Sequence, residues 1–279
     1  MQALVEAARS KDSVLVAGID PVPSRFPEGL RALPEADSTL RFCTGILEAV
    51  EPYAAAIKLQ AAFFERLGPA GMEIYRDLIL ASEELALPVI ADVKRGDIGP
   101  VATAYGEAHL GVYGATCVTV NPYMGGDAVL PFLEEVRRQD RGGGVFVLVA
   151  TSNPSSEDLQ QSTDPPLFEL AAGLVAELGR SNGGYPDAGA VVGVTRPETG
   201  ARVRELLPDA LFLSPGYGAQ GGDASGVGPL LDSQGRGVLV NSSRSILYAY
   251  ETSTADYKTA ASEAARRTRD ELRLAGARL

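Results

Sequence analysis

Pro88-Val89-Ile90-Ala91-Asp92-Val93-Lys94-Arg95-Gly96-Asp97-Ile98 carries an apolar run straight into two carboxylates and a lysine. The lead-in reads as a buried strand, and the break at Gly96 marks its C-terminal end. Residues two apart on a strand share a face, so Asp92 and Lys94 point to the same largely dry side. Charges in such a place persist only when paired. The chain has four lysines, Lys11, Lys58, Lys94 and Lys258, against twenty-one arginines. A lysine inside a strand therefore stands out, and Lys58 and Lys94 are both placed that way.

The same punctuation recurs along the chain. Apolar runs at 14–20, 55–60, 88–94, 117–121, 145–151, 189–194, 210–215 and 237–243 alternate with amphipathic helical stretches at 39–50, 71–85, 127–139, 166–178, 197–206 and 254–274. Strand and helix alternating eight times is the pattern of an α/β protein closed into a parallel (β/α)8 barrel of the TIM type. Two doubly wound domains are the rival architecture, but no linker divides the chain and no GxGxxG follows the first strand. The expectation is one catalytic domain spanning residues 1–279, with insertions at 21–37 and 152–166. Polar residues gather at the strand ends: Asp20, Lys58, Asp92, Lys94, Asn121, Ser152, Asn153, Thr195, Pro215, Gly216, Ser243 and Arg244. In a barrel that is the face on which enzymes build their sites.

A formal charge of −11 and a pI near 4.7 disfavour a nucleic-acid or acidic-membrane partner, since neither offers gain to an acidic surface. With two cysteines, Cys43 and Cys117, no disulfide framework is expected. The stretch from Met1 to Lys11 has neither the basic start nor the apolar core of a signal peptide, so a cytoplasmic location is expected. Both cysteines read as core residues. The single histidine, His109, lies in the helix after strand three, away from the strand ends, and reads as structural.

Strand seven is followed by the glycine-rich run from Ser214 through Pro215, Gly216 and Gln220 to Gly228, and strand eight by Asn241-Ser242-Ser243-Arg244-Ser245-Ile246. Loops seven and eight are the usual phosphate cradle of a barrel. Glycines admit backbone N–H groups to an anion, Arg244 adds a forked cationic donor, and Gln220 can latch over the anion. Lys58, Asp92, Lys94 and Asp97 form an alternating charged array at strand ends two and three. Its bland reading is an ion-pair network that only stiffens the barrel mouth, yet buried networks add little stability beside apolar packing.

The pattern Asp92-x-Lys94-x-x-Asp97, with Pro215-Gly-x-Gly-x-Gln220-Gly and Ser243-Arg244-Ser-Ile, resembles orotidine 5′-phosphate decarboxylase. The runs from Asn121 through Met124 and from Thr151 to Pro154 resemble its larger bacterial (type 2) branch. The resemblance runs from about Asp20 to Tyr250. It implies a cofactor-free and metal-free conversion of orotidine 5′-monophosphate (OMP) to uridine 5′-monophosphate (UMP) and carbon dioxide, closing de novo pyrimidine synthesis. It also implies a homodimer with active sites at the subunit interface. On that mapping Asp92 faces the substrate carboxylate and Lys94 protonates C6. Asp97 reaches the neighbouring subunit's site to complete the array with Lys58. Asp20 and Lys58 bind ribose hydroxyls, Ser152 the pyrimidine edge, and Gln220 and Arg244 the phosphate, with Pro215 near the base. The chain departs from the family at Val101, where threonine is usual; one lost hydrogen bond costs about 0.5–1.5 kcal/mol.

The chemistry makes independent sense of these residue types. Losing carbon dioxide from an sp² carbon leaves a localised carbanion that preorganised positive charge must stabilise. Lys94, with carboxylates expected on either side, can serve as that charge and as general acid. The alternatives are a metal-dependent sugar-phosphate decarboxylase of the same superfamily, a Schiff-base aldolase acting through Lys94, and a catalytically silent phosphosugar or nucleotide sensor.

Overall fold

The apolar runs form eight strands: β1 (Leu15–Ile19), β2 (Ala56–Gln60), β3 (Val89–Arg95), β4 (Cys117–Val120), β5 (Gly144–Ala150), β6 (Ala188–Val192), β7 (Phe212–Ser214) and β8 (Val238–Ser242). In this computed structural model, which describes residues 1–218 and 221–279, all eight pair in parallel, and β8 returns to β1 to close the barrel. The longer helices are α1 (Gln2–Lys11), α2 (Glu35–Val50), α3 (Gly68–Glu84), α4 (Gly99–Gly106), α5 (Gly126–Gln139), α6 (Leu167–Leu178), α7 (Pro197–Leu206) and α8 (Tyr257–Leu274). Their apolar faces follow the helical period: in α2, Phe42, Cys43, Ile46, Leu47 and Val50 are buried against the strands. Among the described residues, no helix is long and apolar enough to cross a membrane.

The barrel interior is divided along its axis. At the N-terminal end Val16, Ala56, Ile90, Cys117, Phe146 and Leu239 form an apolar plug, closed from below by Met1, Leu4, Val5 and Ala8 of the α1 segment. Two residues farther along the strands the same interior face turns polar, with Lys58, Asp92, Thr119 and Asn241, all buried. The strand period of two thus fixes where the packed core ends and a polar floor begins.

Between β7 and β8 the alternation is incomplete, at the glycine-rich loop read from the sequence. Among the described residues, the connection after β7 makes single turns at Ala224–Val227 and Gly228–Leu230, where a full helix would complete the alternation. The glycines that fill this loop explain the difference. A Cβ at Gly222 would lie 2.3 Å from Val194 Cγ1, and one at Gly226 would lie 2.5 Å from the Val194 carbonyl oxygen, so the loop packs closer to the end of β6 than a helix with side chains permits.

Arg204 of α7 knits the gap. Its guanidinium donates to the carbonyls of Leu230 (2.9 Å), Leu207 (2.9 Å), Ala210 (2.8 Å) and Gly237 (2.8 Å), and lies 3.6 Å from the centre of the Phe212 ring. Burial pushes its pKa down to about 10. A lysine cannot reproduce the forked donor set. Arg204→Lys is expected to lower unfolding free energy by about 2–4 kcal/mol through unsatisfied carbonyls; urea denaturation showing a loss below about 1 kcal/mol would contradict this account.

Candidate active site

Strand geometry aims Lys58 and Gln60 of β2, Asp92 and Lys94 of β3, Thr119 of β4 and Asn241 of β8 into one cavity of about 360 Å³ at the C-terminal mouth. Asp20, Ser152, Pro215 and Arg244 line it from the loops after β1, β5, β7 and β8. Eight of the nine site residues expected from the sequence lie within the described residues, and seven of them meet here; Asp97 does not, and Gln220 lies outside the described residues.

Asp92 is the hub. Its Oδ2 accepts from Lys58 Nζ at 2.7 Å and from Gln60 Nε2 at 3.1 Å, while its Oδ1 accepts from Lys94 Nζ at 2.5 Å and from Thr119 Oγ1 at 2.9 Å. The side chains of Lys58 and Asp92 are 5% and 7% exposed, whereas that of Lys94 is 44% exposed. Lys94 thus has one end on the buried carboxylate and the cavity around it, more open than a dry strand face suggests. Burial alone would raise the Asp92 pKa, but Lys58 and Lys94 outweigh it and hold the carboxyl well below its usual range. For Lys58, burial favours the neutral form, yet Asp92 and Asp20 reverse it and its pKa is raised. Asp20 Oδ1 stands 3.9 Å from Lys58 Nζ and is buried without a hydrogen bond, an acceptor left for a hydroxyl donor.

Asp97 is the exception to the expected array. It makes no ion pair with Lys58 or Lys94 within this chain; its Oδ1 accepts the N–H of Ile98 at 2.8 Å in the loop beyond β3. Lys94 is therefore held by one carboxylate of its own chain and not by two. The reason is backbone direction: β3 ends at Arg95, and Gly96 and Asp97 leave the barrel wall toward α4.

Gln60, Thr119 and Asn241 were not expected as site residues. Gln60 was legible in principle, because it follows Lys58 by two and so shares its face. Thr119 and Asn241 sit in strand bodies where a polar residue reads equally as packing. Asn241 Oδ1 is buried with no hydrogen bond, another acceptor directed at the cavity lining. The opposite wall is apolar, formed by Leu148, Val191 and Leu213. Asn121 instead caps the turn at Pro122–Met124, accepting from the Tyr123 N–H at 3.0 Å. His109 is buried against Tyr75 and Tyr113 away from the cavity, and burial, with Arg95, lowers its pKa to about 4. Cys43 and Cys117 are buried and unlinked.

A wider cleft, about 1080 Å³, opens at the other end of the barrel beside Arg9, Arg137, Arg180 and Arg236. Carboxylates interleave with these arginines, and Arg137 is already paired to Asp187 at 2.7 Å. The smaller cavity holds the chemistry: paired cations on one wall, apolar side chains on the other, and Arg244 with a glycine-rich loop at the rim. It suits a flat, anionic molecule that carries a phosphate.

The sequence profile of the Orotidine 5′-phosphate decarboxylase / HUMPS family matches residues 32–258. A protein of Rhodopirellula baltica named orotidine 5′-phosphate decarboxylase is 42% identical over 258 residues, covering 86% of this chain and 85% of its own. One of Deinococcus radiodurans with the same name is 40% identical over 273 residues, covering 97% and 96%. Among solved structures, Leishmania donovani OMP decarboxylase superposes with a TM-score of 0.80 at 33% identity, covering 98% of this chain and 97% of that one.

The charge hub also fixes a pH response. Asp92 has a depressed pKa, so its stabilising contribution is complete above its unfolded value near pH 4 and is lost as pH falls below that; Lys58 has a raised pKa, so its contribution is complete below about pH 10. Urea denaturation is expected to show stability falling from about pH 5 to pH 2.5, with a shallower fall in Asp92→Asn. Equal slopes in the two proteins would remove Asp92 from the acid response.

Proposed function

The chain belongs to the orotidine 5′-phosphate decarboxylase family, and from that premise we propose how it converts OMP to UMP and carbon dioxide, using neither metal nor cofactor. The observation that carries the reading is the Lys58–Asp92–Lys94 hub at the floor of a cavity whose rim holds Arg244 and Pro215–Gly216.

Arg244 and the backbone of the loop after β7 bind the phosphate, with Gln220 closing over it. Asp20 and Lys58 take the ribose hydroxyls, Ser152 meets the pyrimidine edge, and the base lies near Pro215 against Leu148, Val191 and Leu213. Phosphate binding at the rim fixes the base over the hub, so its energy is spent on orientation. The substrate carboxylate then faces Asp92, a like charge that the site holds ionised. The C6–carboxylate bond breaks, carbon dioxide leaves, and the electron pair stays on C6. Lys94 Nζ stabilises that pair and transfers a proton to it, giving UMP; water reprotonates the amine.

Asp97 completes the array only from a second copy. The loops around it expose Ile98 (56%), Val101 (48%), Tyr123 (75%) and Met124 (52%), an apolar surface next to the catalytic mouth. Covering it with the same surface of another chain brings Asp97 to the partner's site and makes the protein a homodimer. Val101 then adds apolar contact where the family places a hydroxyl. Residues 1–279 act as one catalytic domain, and a phosphorylated nucleotide substrate, together with the unlinked thiols of Cys43 and Cys117, fits work in the cytoplasm.

The test is the loss of OMP absorbance with protein treated with EDTA and given no cofactor. Full turnover is expected, with Lys94→Ala lowering kcat by at least about 1000-fold and Arg244→Ala raising KM by about 10–100-fold. Activity that EDTA abolishes would favour a metal-dependent relative instead. Mixing inactive Lys94→Ala with inactive Asp97→Ala protein is expected to restore turnover that neither shows alone, and no recovery after subunit exchange would refute the shared site.

A further inference from the structure

Strands β3 and β4 are in register at Ile90 with Cys117 and at Ala91 with Val118, and again at Arg95 with Val120. Between those points three residues of β3, Asp92, Val93 and Lys94, stand opposite a single residue of β4, Thr119. The bulge bends β3 so that Lys94 follows Asp92 into the cavity, and it takes Lys94 out of the regular ladder. Lys94 also adopts φ +46°, the left-handed region that a lysine enters only at a cost. Some contact must hold it there.

Thr119 supplies that contact from both sides. Its Oγ1 accepts the Lys94 N–H at 3.0 Å and donates to Asp92 Oδ1 at 2.9 Å, the same oxygen that receives Lys94 Nζ. The side chain is 1% exposed, so water offers no substitute. One hydroxyl therefore replaces the missing ladder bond of Lys94, orients the carboxylate plane of Asp92, and closes a ring through the ammonium. A β-branched threonine has few rotamers, so the committed hydroxyl is held with little freedom to turn away.

We propose that Thr119 is a positioning residue of this site, which fixes the Lys94 ammonium and the Asp92 carboxylate relative to each other across the β3 bulge without itself touching the substrate. The inference rests on the decarboxylase reading for its kinetic consequence but not for its structural one. Thr119→Val keeps shape and removes the hydroxyl; Thr119→Ser keeps the hydroxyl.

Both variants are to be assayed with OMP beside the wild type, with thermal unfolding and crystal structures of each. The expected result is that Thr119→Val loses about 10–100-fold in kcat, as a small misplacement of a reacting group does, with KM nearly unchanged, while Thr119→Ser stays within about threefold. In the Thr119→Val crystal structure Lys94 should leave the left-handed region or its Nζ should leave Asp92 Oδ1. The proposal is overturned if Thr119→Val keeps wild-type kcat, if the two variants lose kcat equally, or if Lys94 and Asp92 hold their arrangement without the hydroxyl. A folded wild type that does not turn over OMP overturns the functional reading instead, and the crystal structures still decide the role of Thr119.

Discussion

Everything at the mouth of this barrel depends on one buried carboxylate being kept charged. Asp92 is nearly sealed from water, and an isolated carboxylate there would take up a proton. It stays ionised because Lys58 Nζ and Lys94 Nζ approach opposite oxygens at 2.7 and 2.5 Å, with Gln60 and Thr119 filling the remaining lone pairs. The converse holds for Lys58, whose ammonium is retained by Asp92 and Asp20. The charges are mutually conditional, so the array exists as a unit or not at all. That condition places a fixed positive charge and a fixed negative charge side by side, facing a cavity in which a reacting group of either sign will feel them strongly.

The strand period decides where this can happen. One interior step toward the N-terminal end, Ala56, Ile90 and Cys117 take the places that Lys58, Asp92 and Thr119 occupy above them. A single register slip would exchange interior and exterior faces and carry the charges into the helix layer, where no counter-ions wait. The hub therefore gives the register a second reason to be kept, beyond the apolar plug.

Much of this was legible in the chain. Eight apolar runs, each ending in polar residues, fixed the barrel and its working face, and the rarity of lysine drew attention to Lys58 and Lys94. The glycine-rich loop after β7 was legible as a loop, but its close packing was not, because glycine spacing does not reveal that Val194 lies within contact distance. Thr119 was hidden for a related reason. Its importance comes from a bulge that opposes it to three residues of β3, and a bulge leaves no mark in the sequence of the partner strand. Asp97 shows a different limit: three residues from Lys94 in sequence, it lies outside the hub of its own chain because the backbone leaves the barrel wall between them.

The two ends of the barrel divide stability and chemistry between them. At the catalytic end, Lys94 holds a left-handed backbone costing about 1–2 kcal/mol, and buried charges add desolvation that their pairing does little more than offset. At the far end, Met1, Leu4 and Val5 are withdrawn from water by packing under Val16, Ala56 and Phe146, a burial contributing about 1.5–3 kcal/mol for each large side chain. Neither end could do the other's work: an apolar mouth would have no field, and a charged plug would have no packing. Because β3 runs from Ile90 in the plug to Lys94 at the mouth, packing at the plug anchors the strand, and the Thr119 hydroxyl holds the strained lysine across its bulge.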